Sequence, residues 1–129
     1  MLVFWGSWCQ CDDYQHLNQL YAKYHTKGLE IVGICTDFVT PGWKDTINKH
    51  GTKNWHHIAE NAGTYKYNNA LEILYNSNGM PPSTVFLIDK KGMIIGRYYG
   101  SIQQDFEKRI DEGTLDDLDK KLAQIMPGN

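Results

Sequence analysis

At 129 residues the chain is one domain's worth, long enough to bury a single core but not two. An apolar fraction of 41% and a charged fraction of 22% are ordinary for a globular protein, and a net charge of -2 offers no electrostatic attraction to nucleic acid or an anionic membrane. No stretch approaches the ~20 apolar residues that span a bilayer, and the start, Met1-Leu2-Val3-Phe4-Trp5, lacks the basic region and long apolar run of a secretory signal.

Strong β-formers occupy Leu2 to Trp5, and Gly6-Ser7 breaks the run. The chain thus opens inside a fold element. From Asp12 onward Leu17, Leu20, Tyr21 and Tyr24 recur at helical spacing, with Gly28 as the stop. Leu29 to Cys35 is a mostly apolar run with β-branched residues, the pattern of a buried parallel strand. Thr40-Pro41 predicts an N-cap with proline at the first helical position, and Trp43, Ile47 and His50 carry that helix to Gly51. Asn54 to Asn69 is polar and has no clear period, and Ala70 to Tyr75 predicts a short helix ended by Asn76-Ser77-Asn78-Gly79. Thr84 to Ile88 and Met93 to Tyr99 are strands joined by the turn Asp89-Lys90-Lys91-Gly92. Leu115, Leu118, Leu122 and Ile125 mark a final amphipathic helix.

The order β-α-β-α-(α)-β-β-α predicts an α/β domain: parallel β-α-β units, then an antiparallel hairpin and a covering helix, in a mixed central sheet with helices on both faces. There is no internal repeat and no interdomain linker, so residues 1–129 form a single domain.

Three cysteines cannot all pair within one molecule, which excludes a disulfide-stapled scaffold. Cys9 and Cys11 lie at the predicted junction of the first strand and first helix. Unpaired N–H groups and the positive end of the helix dipole stabilise a thiolate there. A second thiol close by can resolve a mixed disulfide by attacking the first. The plainer alternative, two small apolar residues beside a turn, leaves the pairing of this motif with Met80-Pro81-Pro82 a coincidence.

Phe4-Trp5-Gly6-Ser7-Trp8-Cys9 resembles the F-W-A-S-W-C run that opens the active site of TlpA-like thiol-disulfide oxidoreductases in the thioredoxin superfamily. The likeness continues through Leu17, Leu20-Tyr21 and Tyr24, through Lys27 to Ile34 with Asp37, and through Trp43-Lys44, Ile47, Gly51 and Trp55. It resumes at Gly79-Met80-Pro81 and at Phe86 to Gly92. The resemblance implies a thioredoxin-like fold and a protein disulfide reductase with no cofactor, because the cysteine pair carries the two electrons. Cys9 would be the attacking thiolate, Cys11 the resolving thiol and Trp8 the wall beside them. Pro81, preceded by Met80, would be the substrate-facing cis-proline, with Pro82 the other candidate for that place. The partners implied are a protein disulfide substrate and a thiol electron donor, taken up by a monomer. The family's N-terminal hairpin would precede Met1. Relatives work in the bacterial envelope, so an extracytoplasmic location is expected, or the cytoplasm were the chain complete as it stands.

Three departures bear on activity. The family's C-x-x-C is here Cys9-Gln10-Cys11, whose disulfide would close a smaller, more strained and more reducible ring. Asp12-Asp13 follows, placing like charge beside a thiolate. Val3 stands six residues before Cys9, where many thioredoxins have a buried carboxylate that assists proton transfer. The alternatives are a non-catalytic thioredoxin-like binding or accessory domain, and a soft-metal (copper) carrier using Cys9 and Cys11. His56-His57 could join a metal site, but the sequence favours a solvated loop for them. Cys35 could be a second partner for Cys9, although burial statistics favour a small apolar core residue. Trp43, Trp55, Tyr65 and Tyr67 read as core and rim aromatics rather than a peptide groove.

Overall fold

A computed structural model describes residues 1–5, 13–35, 40–59, 84–100 and 112–127. Six strands form one sheet: β1 (Leu2–Trp5), β2 (Val32–Cys35), β3 (His56–Ala59), β4 (Thr84–Ile88), β5 (Ile94–Tyr99) and β6 (Glu112–Thr114), in spatial order β3-β2-β1-β4-β5-β6. The described helices are α1 (Asp13–Tyr24), α2 (Thr40–His50) and α3 (Leu115–Ile125). β1 pairs parallel with β2 and β2 with β3, whereas β4 is antiparallel to both β1 and β5. This is the expected mixed sheet.

Strand alternation divides the core in two. Val3, Trp5, Cys35, Val85, Leu87 and Tyr98 point to one face, where they meet Leu17, Leu20 and Tyr24 of α1 and Leu115, Leu118 and Leu122 of α3. Ile47 of α2 packs against the same cluster. Phe4, Ile34 and Phe86 are buried on the opposite face, so the sheet is covered on both sides. Helix α1 ends in a short 3-10 turn, His25–Lys27, and stops at Gly28, whose φ of 102° is a left-handed conformation open to glycine without a Cβ penalty. Its end is tied to α3: the Tyr24 hydroxyl donates to Asp119 at 2.8 Å and Lys23 Nζ to the same oxygen at 3.0 Å.

Several expectations change in detail. The β2 ladder begins at Val32 rather than Leu29, because Leu29 N–H still closes α1 by donating to the Tyr24 carbonyl at 3.2 Å. β5 begins at Ile94, since Met93 N–H is drawn into the Asp89 turn at 3.0 Å. Ile125 was expected on the buried stripe of the last helix but is 45% exposed; Met126, beyond the helix end, packs on the core instead. The sequence reading missed β3 and β6 altogether. His56-His57-Ile58-Ala59 and Glu112-Gly113-Thr114 are short and lack a run of strong β-formers, and each is a strand only because a neighbour offers a ladder. His56 and His57 are therefore not in a solvated loop. The predicted helix at 70–75 lies outside the described residues.

Candidate functional site

The carboxyl ends of β1, β2 and β3 and the amino end of β4 meet along one sheet edge. Trp5 is opposite Cys35, Cys35 opposite Ala59, and Phe4 opposite Thr84. In an α/β sheet this edge is where ligands and chemistry gather. The two chain segments singled out from the sequence are both attached to it: one runs from Trp5 to Asp13, the other leads into Thr84. Trp8, Cys9, Cys11, Met80, Pro81 and Pro82 themselves lie outside the described residues.

The described flanks are packed rigidly. Trp5 is 3% exposed. The Tyr14 ring meets it edge-on with centroids 6.1 Å apart, and the His57 ring does so at 6.0 Å. Tyr14 in turn stacks on His50 at 4.3 Å, while Asn18 Nδ2 donates to the His50 carbonyl at 2.9 Å. Both chain ends of segment 6–12 are thus anchored to the end of α2 and to β3.

Val3 is fully buried beneath α1, so the thioredoxin carboxylate position holds an apolar side chain in the packed core. A buried carboxylate does stand at the start of α1. Asp13, first residue of α1, is 3% exposed. Its spacing to Leu17, Leu20 and Tyr24 puts it on the buried stripe, a periodicity that its charge masks in the sequence. The helix N-terminus offers a buried carboxylate favourable N–H dipoles.

Cys35 is fully buried in the cluster that holds Val3 and Trp5, as expected of a small apolar core residue. Trp55 is likewise core, whereas Tyr65 and Tyr67 lie outside the described residues.

His56 and His57 do not converge on one point, because consecutive residues of a strand face opposite ways. His56 Nε2 lies 3.4 Å from Glu30 on the surface. His57 turns toward the core, with Nε2 2.7 Å from the Thr52 carbonyl and Nδ1 buried without a hydrogen-bond partner among the described residues. That contact makes Nε2 the protonated nitrogen of the neutral ring. Burial, and secondarily the charge of His56, hold the His57 pKa below the ordinary imidazole value, against the pull of the Thr52 carbonyl. Among the described residues no group of three His, Cys, Asp or Glu side chains is assembled for a metal ion, and no helix is long and apolar enough to cross a membrane.

A family model described as thioredoxin-like matches residues 1–94. Thiol-disulfide oxidoreductase ResA of Bacillus thuringiensis (strain Al Hakam) is 31% identical over 128 residues, covering 98% of this chain and 62% of the relative. The ResA of Bacillus anthracis matches at the same identity and coverage. The chain thus spans about three-fifths of these curated relatives. Among solved structures, a thiol:disulfide interchange protein DsbE from Chlorobium tepidum superposes with a TM-score of 0.71 at 23% identity, over 97% of this chain and 77% of that one. A thiol-disulfide oxidoreductase from Bacteroides fragilis gives 0.70 at 22%, over 96% and 78%. At those identities the superpositions speak for the fold, the sheet and helices described above. With the family match over most of its length, the chain belongs to the thioredoxin-like family, and the TlpA-like resemblance of its motifs fits that placement.

Proposed function

We propose that the chain is a thiol-disulfide oxidoreductase domain that reduces protein disulfides through Cys9 and Cys11. The observation that carries this reading is the pairing of Phe4 with Thr84 beside Trp5 and Cys35. It sets the flanks of the cysteine segment and of the Met80-Pro81-Pro82 segment on neighbouring strands of one sheet edge. The names of the curated relatives support the same chemistry.

In the proposed cycle Cys9 thiolate attacks one sulfur of a substrate disulfide and expels the other as a thiolate. Cys11 then attacks the Cys9 sulfur of the mixed disulfide and releases the second substrate thiol. Two electrons leave the pair, a Cys9–Cys11 disulfide forms, and a thiol donor restores it. Trp8 walls the pair, and Pro81, or Pro82 in its place, presents backbone to the bound peptide. The reading includes a monomer working in the bacterial envelope, as the family resemblance implies.

Insulin reduction in the presence of dithiothreitol tests the reaction, and mass spectrometry across a redox titration tests the pair. Turnover abolished by Cys9→Ser, together with loss of two hydrogens on oxidation, is the expected result. Turnover equal to that of the variant would leave a non-catalytic accessory domain, and stoichiometric Cu(I) uptake by the reduced protein would point to a soft-metal carrier.

A further inference from the structure

We propose that His57 is a positioning residue for the cysteine segment, acting through Trp5, and that protonation of its imidazole releases that hold. The proposal rests on the functional reading above for its consequence at the thiols, but not for its first step, which lies wholly within the described core.

The geometry begins at Gly33. This residue stands between Val3 and His57 in the ladder, and it has no side chain to fill the face above it. A Cβ built there would lie 2.9 Å from His57 Nδ1 and 2.9 Å from Trp5 Nε1. The imidazole and the indole thus both close over the Gly33 backbone and wedge against each other, edge to face. On its far side the imidazole lies nearly parallel to the Trp55 ring, with centroids 6.0 Å apart, and its Nε2–H is held by the Thr52 carbonyl. That leaves the ring one orientation, with Nδ1 inward.

A neutral ring suits this niche: Nε2–H has its acceptor, and Nδ1 is an acceptor that can remain bare at modest cost. An imidazolium does not. It places a charge in a half-buried site and turns Nδ1 into a second donor, for which the described residues offer no acceptor. The titratable groups on the surrounding elements are His56 on the same strand, Cys35 on β2, Asp13, Tyr14, His16, Tyr21, Lys23 and Tyr24 on α1, and Lys44, Asp45, Lys49 and His50 on α2. Of these His56 is the one that bears on His57, and it opposes the charge further. The protonated ring therefore leaves the Gly33 face. Trp5 then loses its edge contact with His57, at the residue where the chain departs for Cys9.

The experiment follows the Trp5 indole N–H by NMR between pH 7.5 and pH 4.5, its resonance identified among the four tryptophans by Trp5→Phe. The iodoacetamide alkylation rate of Cys9 is measured over the same range. Two variants keep the test falsifiable should one of them fold poorly. His57→Gln retains a donor to the Thr52 carbonyl, and His57→Phe retains the ring packing; neither titrates. The wild-type Trp5 signal is expected to shift with a midpoint below the ordinary imidazole value of about 6.5, and the alkylation profile to bend at that midpoint. Both features should vanish in the variants, which keep His50. A Trp5 signal that stays still in the wild type, or that moves equally in both variants, overturns the proposal. So does a Trp5 shift with no matching bend at Cys9. Failure of Cys9 and Cys11 to form a disulfide would instead refute the oxidoreductase reading, and the Trp5 titration would be unaffected.

Discussion

Gly33→Ala separates two opposing effects whose sizes can be set from the structure. Gly33 has no left-handed backbone conformation to protect, so alanine suits its strand geometry. Restricting the unfolded chain should therefore stabilise the protein by about 0.4–1 kcal/mol. Against this, the new methyl would sit 2.9 Å from both Trp5 Nε1 and His57 Nδ1, far inside van der Waals contact. Trp5 is 3% exposed and also packed against Tyr14, so the half-buried His57 is the side chain with more room to yield, and its 2.7 Å bond to the Thr52 carbonyl would stretch or break. Overpacking of this kind costs about 1–3 kcal/mol. The net expectation is a destabilisation between about 0 and 2.6 kcal/mol, the overpacking cost less the chain-entropy gain. Urea denaturation followed by circular dichroism should show a lower midpoint at unchanged slope. The loss should shrink in a His57→Ala background, where one of the two obstructions is gone. A Gly33→Ala protein more stable than wild type would refute the account of this face.

Other perturbations test separate parts of the fold. Leu118→Ala removes a fully buried side chain from the α3 interface and should cost about 2–5 kcal/mol, measured by the same denaturation. Thr114 caps α3 reciprocally: its hydroxyl accepts from Asp117 N–H at 3.4 Å while its own N–H donates to the Asp117 carboxylate at 2.9 Å. Thr114→Ala should cost about 1 kcal/mol, and Thr114→Ser should recover most of it. At Asp119 burial raises the carboxyl pKa, but the hydrogen bonds from Lys23 and Tyr24 outweigh it and the net direction is down. A depressed carboxylate pKa contributes stability above the unfolded value, and that contribution is lost as pH falls through the folded value. Asp119→Asn should thus flatten the stability profile below about pH 4, leaving the slope near neutrality unchanged. His57 has the opposite charge type and the same sign of slope. Its folded pKa lies below the unfolded one, so stability falls as pH drops beneath about 6.5. Thermal unfolding at pH 7 and pH 5 should show a smaller loss in His57→Gln than in wild type.

The elements legible from sequence were those whose pattern is local. Leu17, Leu20 and Tyr24 announce α1, Leu115, Leu118 and Leu122 announce α3, and the Asp89–Gly92 turn announces its hairpin; each reads correctly because its own side chains set its period. The family resemblance likewise came from short runs, and it settled the fold. What stayed hidden was non-local. β3 is legible only beside β2, since nothing in His-His-Ile-Ala favours a strand without that partner. Asp13 stands out in the sequence only as a charge beside the cysteines, and packing puts it on the buried face of its helix. His57 looked like half of a solvated pair, and strand alternation turned it alone toward Trp5. The sequence by itself determined the spacing of the cysteines along the chain and the elements whose period is their own, α1, α3 and the β4–β5 hairpin. Only the tertiary structure decided which side chains anchor the ends of their segment, because Trp5 meets His57 and Tyr14 meets His50, residues far apart in sequence. No periodicity carries across that distance; only the pleat and register of a shared sheet bring such residues together.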